Sequence, residues 1–127
     1  MRLLALIGWM LLFDLTWIFV VAWPLYQKWL KHVLASPMQL GYAIAVYCVM
    51  VFGVWWFALR GHHDVYHIAL NAAILGFVSY GVFDLTNGAI IKQWPWQMVV
   101  VDMIWGTIMF ASTAVLAHKT AVWLGGA

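Results

Sequence analysis

A chain of 127 residues that is 67% hydrophobic, only 8% charged and of net charge +2 is not a soluble globular domain. Its mean hydropathy is +0.95, and its few basic residues are scattered through the loops, which excludes a nucleic-acid-binding surface. The composition is that of a polytopic membrane protein, and four apolar runs reach the roughly 20 residues that a ~30 Å hydrocarbon core requires.

The first run, Leu3–Leu25, follows Arg2 and superficially resembles a signal peptide. Asp14 interrupts it, and the bulky Phe13, Trp17 and Trp23 continue it, so an uncleaved first helix is expected. The second run, Pro37–Leu59, carries the lone Cys48, which forms no intrachain disulfide and reads as a packing residue. Between the second and third runs lies Gly61-His62-His63-Asp64-Val65-Tyr66-His67. His63 and His67 stand at i, i+4, a spacing able to bind a metal with Asp64 as a third ligand. A solvated interfacial histidine cluster explains the same residues more simply, and no metal or other cofactor is expected. The third run, Val65–Ala89, and the fourth, Gln97–Ala117, hold most of the polar residues, among them Asn71, Thr86, Asn87 and Thr107. Gly41/Ala45 and Ala72/Gly76 are small-residue pairs that permit close helix contact. Most tryptophans fall near the ends of the runs, where an aromatic belt accounts for them.

Orientation is not fixed by charge. Arg2, Arg60 and Lys119 on one side balance Lys28, Lys31 and Lys92 on the other, so the positive-inside rule returns a tie.

The most informative residues are acids. Asp14, Asp84 and Asp102 lie inside the apolar runs, where a carboxylate costs several kcal/mol (about 2.5–3.5 on lenient scales) and reads as functional. Each has a side chain with an N–H three residues later: Trp17, Asn87 and Trp105, with His67 serving Asp64 in the same way. Such donors can serve each carboxyl locally or across helices. Phe13-Asp14-Leu15-Thr16 and Phe83-Asp84-Leu85-Thr86 also match, and each stretch closes on Trp-Pro, at Trp23-Pro24 and Trp94-Pro95. The match points to a weak parallel repeat of two hairpins. If both Trp residues mark one interface, Asp14 and Asp84 lie about 13–15 Å below it and Asp102 about 9 Å.

On these residues the chain resembles a family of small predicted bacterial membrane proteins, catalogued as a domain of unknown function, number 2177 in that series. The resemblance is carried by Asp14 with Trp17, by Tyr80-Gly81-Val82-Phe83-Asp84-Leu85-Thr86-Asn87, and by Asp102-Met103-Ile104-Trp105-Gly106-Thr107. It implies a compact four-helix protein of the bacterial inner membrane whose signature residues are the intramembrane acids and their neighbours. It carries no established activity, and it tilts the functional reading toward membrane lipids.

The expected fold is all-α: residues 1–127 form one domain of four transmembrane helices in a compact up-down bundle. The expected site lies between the first, third and fourth helices. Asp14 and Asp84 form its ionisable pair, Asp102 an auxiliary acid, and Trp17, Thr86, Asn87 and Trp105 its lining. Three readings stay open. The first is a small transporter or binding protein for a solute or lipid, with a homodimer expected if anything passes through. The second is a membrane-embedded lipid-modifying enzyme or accessory. The third is an assembly partner whose acids fasten helices. An enzyme is the less favoured class, since there is no P-loop, no dinucleotide fingerprint and no nucleophile in a recognisable setting.

Overall fold

The computed structural model describes residues 1–31 and 40–125. Four helices carry nearly all of them: α1 (Arg2–Trp29), α2 (Leu40–Leu59), α3 (Val65–Ile90) and α4 (Trp96–Trp123). Each is long and apolar enough to cross a membrane, and no strand occurs among the described residues. A helix is the one open-chain conformation that satisfies every backbone N–H and C=O within its own segment, as hydrocarbon demands. The expected start of the second span at Pro37, like His32, lies outside the described residues.

Local sequence explains where the helices bend and stop. Within α1, Ile18–Ala22 forms a wider π turn just before Trp23-Pro24. Pro24 has no N–H, and its ring presses on the carbonyl four residues earlier, so the wider turn absorbs it without ending the helix. Helix α2 finishes in a second π turn, Trp55–Leu59, and Arg60 leaves the helix in an extended conformation. Gly61 then turns the chain at φ +76°, where a Cβ would be strained. Asp64 caps α3, its side chain accepting the His67 backbone N–H at 3.3 Å.

The packed core occupies one half of the bundle. Leu6 and Met10 of α1, Val54, Ala58 and Leu59 of α2, Ile68 and Ala72 of α3, and Met109 to Ala117 of α4 meet at the end that holds the N-terminus and the α2–α3 loop. Arg2 ties that end shut, its Nη1 donating to the His62 carbonyl at 2.6 Å, while Trp9 donates to Thr120 Oγ1 at 2.9 Å. Elsewhere large apolar side chains point outward, Phe19 73% and Val20 68% exposed, which suits a surface solvated by acyl chains.

Helices α3 and α4 form the tightest seam. A Cβ placed on Gly76 would collide with the Gly106 carbonyl oxygen, and one on Gly106 with the Tyr80 ring. Of the two small-residue pairs, Ala72/Gly76 is thus buried at this crossing, while a Cβ on Gly41 would meet nothing within 4 Å. The opposite half of the bundle is looser. Val54 is the one buried residue of Leu40–Val54, so the first part of α2 stands away from its neighbours.

The two Trp-Pro pairs of the repeat behave differently. Trp23-Pro24 continues α1, whereas Trp94-Pro95 lies in the connection after α3 has ended at Ile90. Trp94 folds back on the last turn of α3, its ring 6.2 Å from that of Phe83 and 3.9 Å from a Cβ on Gly88. Counting depth from Trp94 therefore misplaces Asp84. It sits six residues, about 9 Å, from the end of its helix, closer to that end than the repeat implied.

Candidate site at the intramembrane acids

The loose half of the bundle encloses a cavity of about 840 Å³ whose wall draws on all four helices. Asp14 and Asp102 are on that wall, with Trp17 and Trp105 beside them. The rest is overwhelmingly apolar or aromatic. Several wall residues are also at the outer surface, including Val46 (50% exposed), Phe52 (56%) and Phe83 (55%). The cavity therefore opens sideways along α2, toward the region that acyl chains occupy.

Asp14 is held from two directions. The Tyr47 hydroxyl of α2 donates to its Oδ2, and the Trp105 indole of α4 donates to its Oδ1 at 3.3 Å. The Trp17 and Trp105 rings stack, 4.4 Å between centroids and 5° from parallel, which fixes the indole N–H toward the acid. Of the two routes left open by the sequence, local or across helices, Asp14 takes the second: Trp17 acts as a brace, and the N–H comes from a different helix. Trp105 follows Asp102 by three residues, yet its donated bond goes to Asp14.

Asp84 and Asp102 are a different case. Asp84 is fully buried, and neither of its carboxyl oxygens has a hydrogen-bond partner among the described residues. Its polar neighbours are Asp102 and the Trp94 indole, and Trp94 Nε1 is itself buried with no hydrogen-bond partner among the described residues. Asp84 lies behind the cavity wall and Asp102, 4% exposed, lies on it. Asp14 is within electrostatic reach of Asp102. Two of the three acids are therefore immediate neighbours and the third stands apart on the same wall.

The remaining expected residues divide. Trp17 and Trp105 line the cavity. Thr86 is exposed on the outside of α3 and Asn87 is half-buried, and neither lines it. A helical step of about 100° explains Thr86, which lies nearly opposite the buried Asp84, while Asn87 comes back to within about 60° of it and is half-buried without reaching the cavity. Sequence reading missed Tyr26 and Tyr47, both on the cavity wall. A phenol in the middle of an apolar run is a signal that could have marked Tyr47, since its O–H needs an acceptor there.

The two candidate ligands His63 and His67 have different partners. His67 Nδ1 pairs with Asp64 Oδ2 at 2.6 Å, both side chains well exposed. That hydrogen bond, aided by the His67 backbone N–H, holds the Asp64 carboxyl below the usual carboxylate range. His63 instead faces His118, 6.0 Å between ring centroids. Among the described residues no three His, Cys, Asp or Glu side chains stand where they could hold a metal ion.

No curated protein and no solved structure matches this chain. A family model does, over residues 1–119, and its description is "predicted membrane protein (DUF2177)". The four membrane-length helices and that match agree, and the chain belongs to the DUF2177 family of predicted membrane proteins.

Proposed function

We propose that this protein is a membrane-embedded binding protein, of the kind small transporters use, for an amphiphilic or lipid-like molecule that enters sideways from the bilayer. The observation that carries the reading is the cavity of about 840 Å³, apolar over most of its wall, open along α2 and edged by Asp14 and Asp102. Its volume lies in the range of sites for drug-sized ligands, roughly 300–1,000 Å³. An apolar body would occupy the space between α2 and α3, near Leu75 and Met50, while a polar head would meet the acids. One copy supplies this volume, so binding needs no second copy; a homodimer would matter for passage across the membrane.

Photolabelling tests the reading. A long-chain alcohol bearing a diazirine, added to the protein in lipid nanodiscs, should label Met50 or Leu75, and Leu75→Trp should suppress that labelling. Labels confined to outward residues such as Phe19 and Val20 would overturn it.

The adjacent carboxyls Asp84 and Asp102 favour a second reading, a lipid-modifying enzyme or accessory in which the pair acts as general acid and base. A mass change in a defined lipid mixture after incubation with the protein, absent with Asp84→Asn, would select it over simple binding.

A further inference from the structure

We infer that the head group selected by the cavity is a cation: the site takes an organic ammonium or similar monovalent cation with an apolar body. This rests on the binding reading above and names its ligand class.

The charge inventory of the wall is one-sided. Among the described residues it contains Asp14 and Asp102 and no Lys, Arg or His. Asp102 is 4% exposed and has a second carboxyl, Asp84, as its polar neighbour. Asp84 is fully buried with both oxygens unpartnered. Buried carboxylates need a cation or donors. Among the described residues Asp14 has its donors in place, through Tyr47 and Trp105.

Three head-group classes can be compared on that inventory. A fatty acid or phosphate head would bring a further negative charge beside Asp102 and find no cation to pair with. A neutral hydroxyl would satisfy one carboxyl oxygen and leave the charge unbalanced. A cation balances it, at a place where low dielectric strengthens the attraction. The aromatic wall acts in the same direction. Trp17, Trp23, Tyr26 and Trp105 line the cavity, and the faces of such rings attract cations, more strongly when desolvated. Carboxylate and aromatic faces together recognise charge without demanding a particular donor geometry, which suits a bulky or quaternary head.

The test is equilibrium dialysis of purified full-length protein in dodecylmaltoside, with tetraphenylphosphonium as the probe and tetraphenylborate as its size-matched anion. Tetraphenylphosphonium should bind saturably, once per chain, and tetraphenylborate should not. Asp102→Asn should weaken binding roughly tenfold or more, and Asp102→Glu should retain most of it. Equal binding of both ions, or Asp102→Asn protein that elutes as folded and binds like the parent, would overturn the cation assignment. If neither ion binds while the diazirine alcohol still labels Met50 or Leu75, the head-group inference fails and the lipid-binding reading stands. If neither ion binds and the labels fall only on outward residues, both fail.

Discussion

Gly76→Ala probes the seam that places Asp84 beside Asp102. The new methyl group would meet the Gly106 carbonyl oxygen head-on, lie 2.8 Å from the Gly106 carbonyl carbon and 3.1 Å from Phe110 Cβ. Two of those three atoms are backbone, so no rotamer change relieves the clash. Restoring an ordinary carbon–oxygen separation of about 3.3 Å at that carbonyl oxygen moves α3 and α4 apart by roughly 1 Å, a gap that forfeits up to about half of each contact's dispersion energy across the seam. The contacts at stake involve Ile68, Ala72, Met109, Phe110 and Ala114, all 1% exposed or less. Together with overpacking costs in close-packed cores, the expected loss is about 2–3 kcal/mol. The control is Gly8→Ala, at an exposed helical glycine with nothing within 4 Å of its Cβ, where helix propensity favours Ala by about 1 kcal/mol. Thermal midpoints by size-exclusion chromatography in mild detergent should fall clearly for Gly76→Ala and hold or rise for Gly8→Ala. Equal midpoints for the two variants would mean that α3 and α4 do not meet backbone to backbone, and the placement of Asp84 would lose its basis.

Tyr47→Phe removes the donor to Asp14 Oδ2 and with it a polar tether between the loose part of α2 and α1. An interhelical bond in a membrane contributes about 0.6–2 kcal/mol. A spin label on the exposed native Cys48 should therefore show a broader distance distribution to a second label at Thr107→Cys, and an unchanged distribution would refute the tether. Asp84→Asn should leave a folded, detergent-stable protein, because no bond to the carboxyl is lost, while abolishing the binding or lipid chemistry proposed above. Failure of Asp84→Asn to accumulate as folded protein would make that acid structural. The Asp64 carboxyl is held low by His67, so its contribution to stability is present above the ordinary carboxylate pKa of about 3.9 and is lost as pH falls through the lowered folded value. Lowering the pH from 6 to 3 should thus bring the thermal midpoint of the parent protein toward that of Asp64→Asn. A constant difference between the two across that range would rule out the linkage.

Amino-acid order alone determined the class of this protein and most of its outline. Runs of apolar residues dictate helices in hydrocarbon, since backbone groups there must bond within their own segment, and the length of each run sets the span. The same logic makes Asp14, Asp84 and Asp102 conspicuous, because a carboxyl in such a run is costly wherever it points. What sequence could not reveal is which donor serves which acid. Helical spacing marked Trp17, Asn87 and Trp105 as donors that could act locally or across helices, and it could not choose between the two because spacing describes neighbours on one helix only. Tyr47 and Trp105 reach Asp14 from α2 and α4, while Asp84 has only Asp102 and the Trp94 indole beside it among the described residues. Asp64 and His67 follow the local rule because they lie in the exposed first turn of α3, where no other helix competes for them. The repeat likewise read two Trp-Pro pairs as equivalent, yet one continues a helix and the other ends a loop, since the continuity of a helix depends on what packs around it. The cavity is the clearest case. It exists because the glycines of α3 and α4 draw those helices together while α2 leans away, a relation among three helices that no single stretch of sequence encodes.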